Sequence, residues 1–466
     1  MSGGEAAHGG GPLVIRGART ADGDRVEISV VEGRIAEVGT TVTIPPRAQE
    51  LAAHGMLVLP GGVDSHVHFN APGARSHWEG WQTGTAAAAA GGVTTVVEMP
   101  LNASPPTVDV AAFEAKAAVT DSRVDFGLWG GVVPGNRVEL EGLASAGVVG
   151  FKGFMSTSGS DDFPASDELT LYEAMGTIAE LGLPLLLHAE SDHMTAELAA
   201  RATAEGRTSV RDYLESRPPA AESEAIASAI ELAAVTGCPL HIVHVSTARG
   251  VQLVAAARAR GQDVSCEVAA HHLLLTEDDA AELGAAAKCA PPLRSAAELA
   301  ALWRLVSEDE TLFVVSDHSP APPELKLGDD FFAIWGGIAG IQSTIELTVT
   351  ESLRSGRLEV SQLPRVLAGA AAHRFRLAEK GSLAPGMDAD LTLIQTGTER
   401  VLSRDELLDR HRFSPYVGRT LCARVHATYL RGDPIYREGG LVGPPRGRLL
   451  RPGRTDAAPR LGSQWA

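Results

Sequence analysis

Two imidazoles stand two residues apart at the end of an apolar run, Leu59-Pro-Gly-Gly-Val-Asp-Ser-His66-Val-His68-Phe69. Residues i and i+2 of a β-strand share a face, so His66 and His68 converge on one point. Neutral imidazole is the commonest protein ligand for a transition metal, and two on one face are half of a site. Other titratable residues lie within or close similar apolar runs. They are Lys152 in Val149-Gly-Phe-Lys152-Gly-Phe-Met, His188 after Leu185-Leu-Leu, His244 in His241-Ile-Val-His244, and Asp317 in Val314-Val-Ser-Asp317-His318. All six can point at one centre if the runs are strands of one barrel.

The lysine is the unusual member. A buried Lys is costly as a cation and tends to lose its charge, leaving a nucleophilic amine. Such an amine adds carbon dioxide to become a carbamate, an anionic oxygen ligand able to bridge two metals. Two divalent ions would then be offset by the carbamate, Asp317 and a bridging hydroxide. The small positive excess left over suits polarisation of a carbonyl.

Those residues need a scaffold that gathers strand ends. Short β-rich runs fall at 63–69, 94–99, 124–129, 148–155, 183–189, 240–246, 264–271 and 311–317, with helical segments such as 84–91, 170–181, 221–236, 248–259 and 296–307 between them. Eight βα alternations predict a TIM-like (β/α)8 barrel, and the stretch from His66 to Asp317 matches the roughly 250 residues such a barrel needs. Functional groups in this architecture gather at the C-terminal ends of the strands. The flanks read as short strands and turns, for instance Arg25-Val-Glu-Ile-Ser-Val-Val-Glu32-Gly33, with a hairpin at Glu32-Gly33. The expected organisation is a catalytic barrel over 61–375, inserted into a small β-sandwich domain built from 12–60 and 376–448. Disordered Gly-, Pro- and Arg-rich tails are expected at 1–11 and 449–466.

Among the 466 residues, hydrophobic types make up 44%, enough for a large core. The net charge is −18 and the 40 Lys and Arg are scattered, which argues against a nucleic-acid partner. No run has the apolar length of a signal peptide or a membrane span, so the expectation is a cytoplasmic protein with no membrane partner. Cys238, Cys266, Cys289 and Cys422 lie far apart without a CxxC pair, which suits free thiols in a reducing compartment.

With these motifs in place, the chain resembles the amidohydrolase superfamily, in the group that holds dihydroorotases, hydantoinases and allantoinases. The resemblance implies that His66, His68 and Asp317 hold one metal and that His188 and His244 hold the other. Lys152, as N6-carboxylysine, would bridge them. His241 is set aside because the family's ligand precedes the Val-Ser that follows His244. Zinc is the first expectation for both ions, although the same ligands accept Mn, Co or Fe. The resemblance also implies a homotetramer.

Within the group, allantoinases are resembled most closely, through Asn70-Ala-Pro-Gly, His77-Trp-Glu-Gly-Trp-Gln-Thr-Gly-Thr, Glu98-Met-Pro-Leu-Asn-Ala-Ser-Pro-Pro-Thr107 and Ser158-Gly-Ser-Asp-Asp-Phe-Pro164. Further matches are Lys288-Cys-Ala-Pro-Pro-Leu-Arg294, Ser316-Asp-His-Ser-Pro-Ala-Pro-Pro-Glu324, Trp335-Gly-Gly-Ile-Ala-Gly340 and Ser414-Pro-Tyr-Val-Gly-Arg419. Asn70 stands where dihydroorotases carry an arginine, and Thr157 where hydantoinases carry a tyrosine. Three positions depart from the allantoinase pattern: Ala71 replaces a common Glu, Ala370 a common Asn, and Glu267-Val-Ala-Ala-His271-His272-Leu is nearer the dihydroorotase form.

The implied reaction is hydrolysis of (S)-allantoin to allantoate in purine breakdown. Asp317 would take the proton of the attacking hydroxide and deliver it to the leaving nitrogen. Asn102, Thr157 and the backbone at Ala290 and Ala339 are candidates for holding the ring, with His318 and Glu190 as orienters of the ligands. A hydantoinase or dihydropyrimidinase is the alternative, followed by a dihydroorotase. A non-catalytic scaffold is more remote, because such relatives typically lose metal ligands and all six are present here.

Overall fold

Short apolar runs bounded by glycine and proline form eight parallel strands: β1 (Gly62–Val67), β2 (Val93–Glu98), β3 (Asp125–Gly131), β4 (Gly150–Phe154), β5 (Leu185–His188), β6 (Leu240–Ile242), β7 (Val264–Ala269) and β8 (Phe313–Val315). They belong to a computed structural model that describes residues 11–119 and 121–453. The strands hydrogen-bond in sequence order from β1 to β8. Across the remaining gap, Val67 bridges His318, the His68 amide donates to the His318 carbonyl at 2.7 Å, and the Ser316 amide donates to Asp64 Oδ1 at 3.2 Å. Side-chain and loop contacts therefore complete the (β/α)8 barrel where strand pairing stops.

Parallel neighbours require crossover connections, and helices supply them. They include Trp81–Ala90, Glu168–Leu181, Pro219–Thr236, Ala248–Ala259 and Ala296–Glu308, in the places where helical periodicity was expected. The helix Thr344–Ser355 was not anticipated. Its Thr-Ile-Glu-Leu-Thr-Val-Thr run is rich in β-branched residues and reads as a strand, yet most of it is buried in the fold as a helix. Tertiary packing overrides the weak local preference.

Beneath the mouth, an aromatic layer fills the barrel. Trp129 packs edge-on against Phe375 with centroids 4.9 Å apart, and its indole N–H donates to the Ser65 carbonyl at 2.9 Å. Phe313 meets Phe375 and stacks on His241. This plug gives the residues above it a rigid floor.

Both chain ends meet in one continuous mixed sheet of nine strands, which is the form taken by the expected sandwich. Its N-terminal strands are Leu13–Arg19, Arg25–Val31, Arg34–Gly39, Gln49–Ala52 and Leu57–Pro60. Leu57–Pro60 pairs antiparallel with Leu391–Val401, and Thr420–Leu430, Asp433–Arg437 and Gly440–Leu441 continue the order. Glu32 and Gly33 have φ of 51° and 78°, the left-handed pair that a tight hairpin between Val31 and Arg34 requires.

Where the sheet meets the barrel, buried Lys380 Nζ lies 2.6 Å from Asp125, 2.9 Å from Asp388 and 2.8 Å from Asp390. Arg431 also pairs with Asp125. The expected C-terminal tail does not leave the surface at 449: Leu449 bridges Phe126 beside β3, and the Leu450 amide donates to the Phe126 carbonyl at 2.7 Å. The expectation for 1–10 and for 454–466 falls outside the described residues.

Candidate active site

At the C-terminal mouth of the barrel lies a cavity of about 440 Å³ whose wall includes His66, His68, His188, His244 and Asp317. His66 lies within a register shift of β1 between Asp64 and Val67, and His68 follows it. Asp64 accepts the His66 amide at 3.2 Å as well as that of Ser316, so one carboxylate ties the first strand to the last. His188 ends β5. His244 and Asp317 were expected to end their strands, but β6 and β8 stop two residues earlier, at Ile242 and Val315. Both residues instead have left-handed backbones, with φ of 37° and 45°. Such conformations store on the order of 1–3 kcal/mol for a non-glycine residue and cluster at functional sites.

Carboxylates hold the outer nitrogens of two of the imidazoles, His66 and His188, and turn their lone pairs to the cavity. His66 Nδ1 donates to Glu267 Oε1 at 2.6 Å, leaving Nε2 unprotonated and 3.4 Å from Asp317 Oδ1. His68 Nε2 stands 3.6 Å from the same oxygen. On the other side, His188 Nε2 donates to Glu190 Oε2 at 2.9 Å, and its Nδ1 lies 3.0 Å from His244 Nε2. A hydrogen-bonded carboxylate is the usual device for fixing the tautomer of a metal-binding histidine. Burial keeps His68 neutral by lowering it to about 4, and lowers His188 and His244 as well.

Asp317 stays ionised: burial pushes its carboxyl up, but His66 and His68 outweigh that and hold it well below the ordinary value. Lys152 on β4 is fully buried under the histidines, 4.5 Å from the centroid of the Phe154 ring, which stacks on His188. Among the described residues its Nζ has no hydrogen-bond partner, and burial lowers its amine to about 7. Imidazole nitrogens and a carboxylate oxygen that face one another across 3.0–3.6 Å in a buried pocket suit cations held between them. The ligand atoms of His66, His68 and Asp317 lie within 4.8 Å of one another.

Of the four candidates for holding a substrate, Asn102, Thr157 and Ala290 line the cavity. Asn102 Oδ1 is buried and, among the described residues, unpartnered. Ala339 does not reach the wall, because its carbonyl accepts the Ser414 hydroxyl at 2.7 Å and Gly336 and Gly337 take its place. At Gly337, with φ of 117°, a Cβ would stand 2.1 Å from the Ser319 carbonyl oxygen, so only glycine lets this loop approach. Lys288 Nζ donates to the Phe332 carbonyl at 3.2 Å and Lys326 Nζ to that of Gly337 at 2.5 Å, clamping the same loop.

Of the two candidate orienters, Glu190 bonds the His188 ring, whereas His318 meets His68 through its backbone carbonyl. Two important groups escaped sequence reasoning. Glu267 joins His66, His241 and Ser65 in one buried network; the available signal was a lone carboxylate inside the apolar run Val264–Ala269. Arg217 pairs with Glu190 and lines the cavity, but its loop carries no local signal. His241 faces away from the cavity, bonding Ser265 at 2.7 Å and Glu267 at 3.2 Å.

Fold and site together define a (β/α)8-barrel hydrolase with a histidine- and aspartate-rich centre at its mouth. The chain belongs to the amidohydrolase family, whose model matches residues 57–433. Among curated proteins it is 51% identical to the allantoinase of Rubrobacter xylanophilus, over 95% of this chain and 98% of the relative. It is 47% identical to that of Deinococcus radiodurans over 94% and 98%, and 43% identical to that of Escherichia coli over 91% and 94%. Among solved structures it resembles the L-hydantoinase (dihydropyrimidinase) of Arthrobacter aurescens, with a TM-score of 0.90 at 31% identity over 94% of this chain and 99% of that one.

Proposed function

We propose that this enzyme is an allantoinase, opening the hydantoin ring of (S)-allantoin to give allantoate. The observation that carries the reading is identity of 42–51% to relatives named allantoinase over nearly the whole chain, joined to a mouth lined by His66, His68, His188, His244 and Asp317. His66, His68 and Asp317 would hold one divalent ion, His188 and His244 the second, with Lys152 as carboxylated bridge. When bound, such a pair ionises water near neutral pH and polarises the ring carbonyl. Zinc is the expected metal, with Mn, Co or Fe as substitutes for the same ligands.

The chain's own residues do the rest. Asp317, kept ionised, accepts the proton of the attacking nucleophile and returns it to the leaving ring nitrogen. Glu267 and Glu190 keep His66 and His188 in the tautomers that present lone pairs to the cavity. Asn102 Oδ1, which lines the cavity, would accept a ring or ureido N–H, and Thr157 and the Ala290 backbone would complete the frame around a neutral ring. Among the described residues no helix is long and apolar enough to cross a membrane. The four free, buried cysteines suit a reducing cytoplasm, and we assign a homotetrameric assembly on the family likeness.

The test is steady-state hydrolysis of allantoin, hydantoin, dihydrouracil and dihydroorotate by one metal-loaded preparation, compared as kcat/KM. A preference for allantoin of about a hundredfold or more is expected. Preference for hydantoin or dihydrouracil would move the enzyme to the hydantoinases, its structural neighbours.

A further inference from the structure

Beside the histidine–aspartate centre, a second cluster of soft ligands is buried in the barrel mouth. His271, His272 and Cys289 are almost wholly inaccessible, and one ligand atom from each lies within 4.8 Å of the others. His271 and His272 follow β7 on the short helix Ala270–Leu274, and their rings meet with centroids 4.3 Å apart. Cys289 belongs to the cavity wall, which gives a small ion a way in. We propose that these three residues form a separate site for one soft divalent cation of the zinc or cadmium class, set in the wall of the catalytic cavity.

Hydrogen bonding prepares the site. His272 Nε2 donates to the Pro291 carbonyl at 3.1 Å, so the lone pair is left on Nδ1, which has no partner among the described residues. His271 is buried with neither ring nitrogen partnered among those residues. A buried imidazole left unpaired is destabilising, and a coordinated cation removes that penalty. The Tyr213 hydroxyl donates to the Cys289 carbonyl at 3.0 Å and fixes the backbone that carries the thiol. Two imidazoles and one thiolate match the donor preference of zinc-like ions. Binding releases the thiol proton to solvent, so the site takes up a dication and gives off one proton.

The other groups with metal-like spacing serve other ends. Asp125, Asp388 and Asp390 surround the Lys380 ammonium, which occupies the place a cation would take. His66, His68 and Asp317 belong to the centre already described. The new site uses none of these ligands, so its test stands apart from the proposed function.

The probe is cadmium chloride added to the metal-loaded enzyme, with bound cadmium counted after gel filtration and the ultraviolet thiolate-to-cadmium charge-transfer band recorded. Wild type should take up one equivalent more than Cys289→Ala, and the band should be missing from that variant. Equal uptake by the two proteins would overturn the proposal. So would a band that persists in Cys289→Ala, since it would come from Cys238, Cys266 or Cys422. His272→Gln keeps the thiol and should weaken cadmium binding by more than about tenfold. Unchanged affinity in that variant would equally overturn the site.

Discussion

His188 turns Nδ1 to within 3.0 Å of His244 Nε2, and the pairing is set from behind, where Nε2 of the same ring donates to Glu190 at 2.9 Å. Glu190 is itself held by Arg217 and lies down at about 2, because His188 and above all the guanidinium outweigh the upward push of burial. Glu190→Gln should therefore loosen one half of the centre. We expect metal affinity to fall about 10- to 100-fold, read as metal content after dialysis against a graded chelator, with kcat/KM falling in step. Undiminished metal retention would remove Glu190 from this role.

Glu267 makes the corresponding prediction for pH. Burial pushes its carboxyl up, but His66 and His241 pull it down to about 2, against 4.5 for an ordinary glutamate. A depressed carboxyl contributes stability that is complete above pH 4.5 and is lost as pH falls toward 2. In chelator-treated protein this is worth about 3 kcal/mol. Denaturant midpoints of wild type should drop through that window more steeply than those of Glu267→Gln; parallel curves would count against the linkage.

Lys152 should carry one added carbon dioxide in the metal-loaded protein, visible as a mass increment in the native spectrum. Its amine, lowered to about 7 by burial, is neutral above that pH and charged below it. Reconstitution with metal and bicarbonate should accordingly speed up through pH 7 and level off above it. Lys152→Ala should lose the increment, bound metal and more than about a hundredfold in kcat/KM.

Asn102 offers to the cavity a buried amide oxygen without a partner among the described residues. If that oxygen accepts a hydrogen bond from the ring or its ureido group, Asn102→Ala should lower kcat/KM on allantoin by about 10- to 100-fold with bound metal unchanged. An unaltered kcat/KM would assign the residue to loop structure alone.

Lys380 neutralises three carboxylates at the seam between barrel and sheet. Lys380→Met leaves them buried together without their cation, and unfolding stability should fall by about 3–5 kcal/mol, read from chemical denaturation. A smaller loss would mean that Arg431 alone satisfies the cluster.

Much of the centre was legible in the chain because its signals are local. A His-x-His pair at the end of an apolar run already states a shared face, and eight alternations of strand and helix already state a barrel with its strand ends together. The eight strands lie where alternation and apolar runs mark them, and His66, His68, His188, His244 and Asp317 meet at one cavity, with Lys152 buried beneath. What could not be read depends on contacts between distant residues. Glu267 reaches His66 across 201 positions, and the side-chain partner of a strand residue is decided by register and barrel closure. The same closure bends His244 and Asp317 into left-handed backbones beyond their strands, and seats Gly336 and Gly337, rather than Ala339, on the wall. Residue type and period are properties of neighbours along the chain and so determined the chemistry available; which nitrogen carries a proton and which loop lines the cavity are distances between remote segments, and only tertiary packing could decide them.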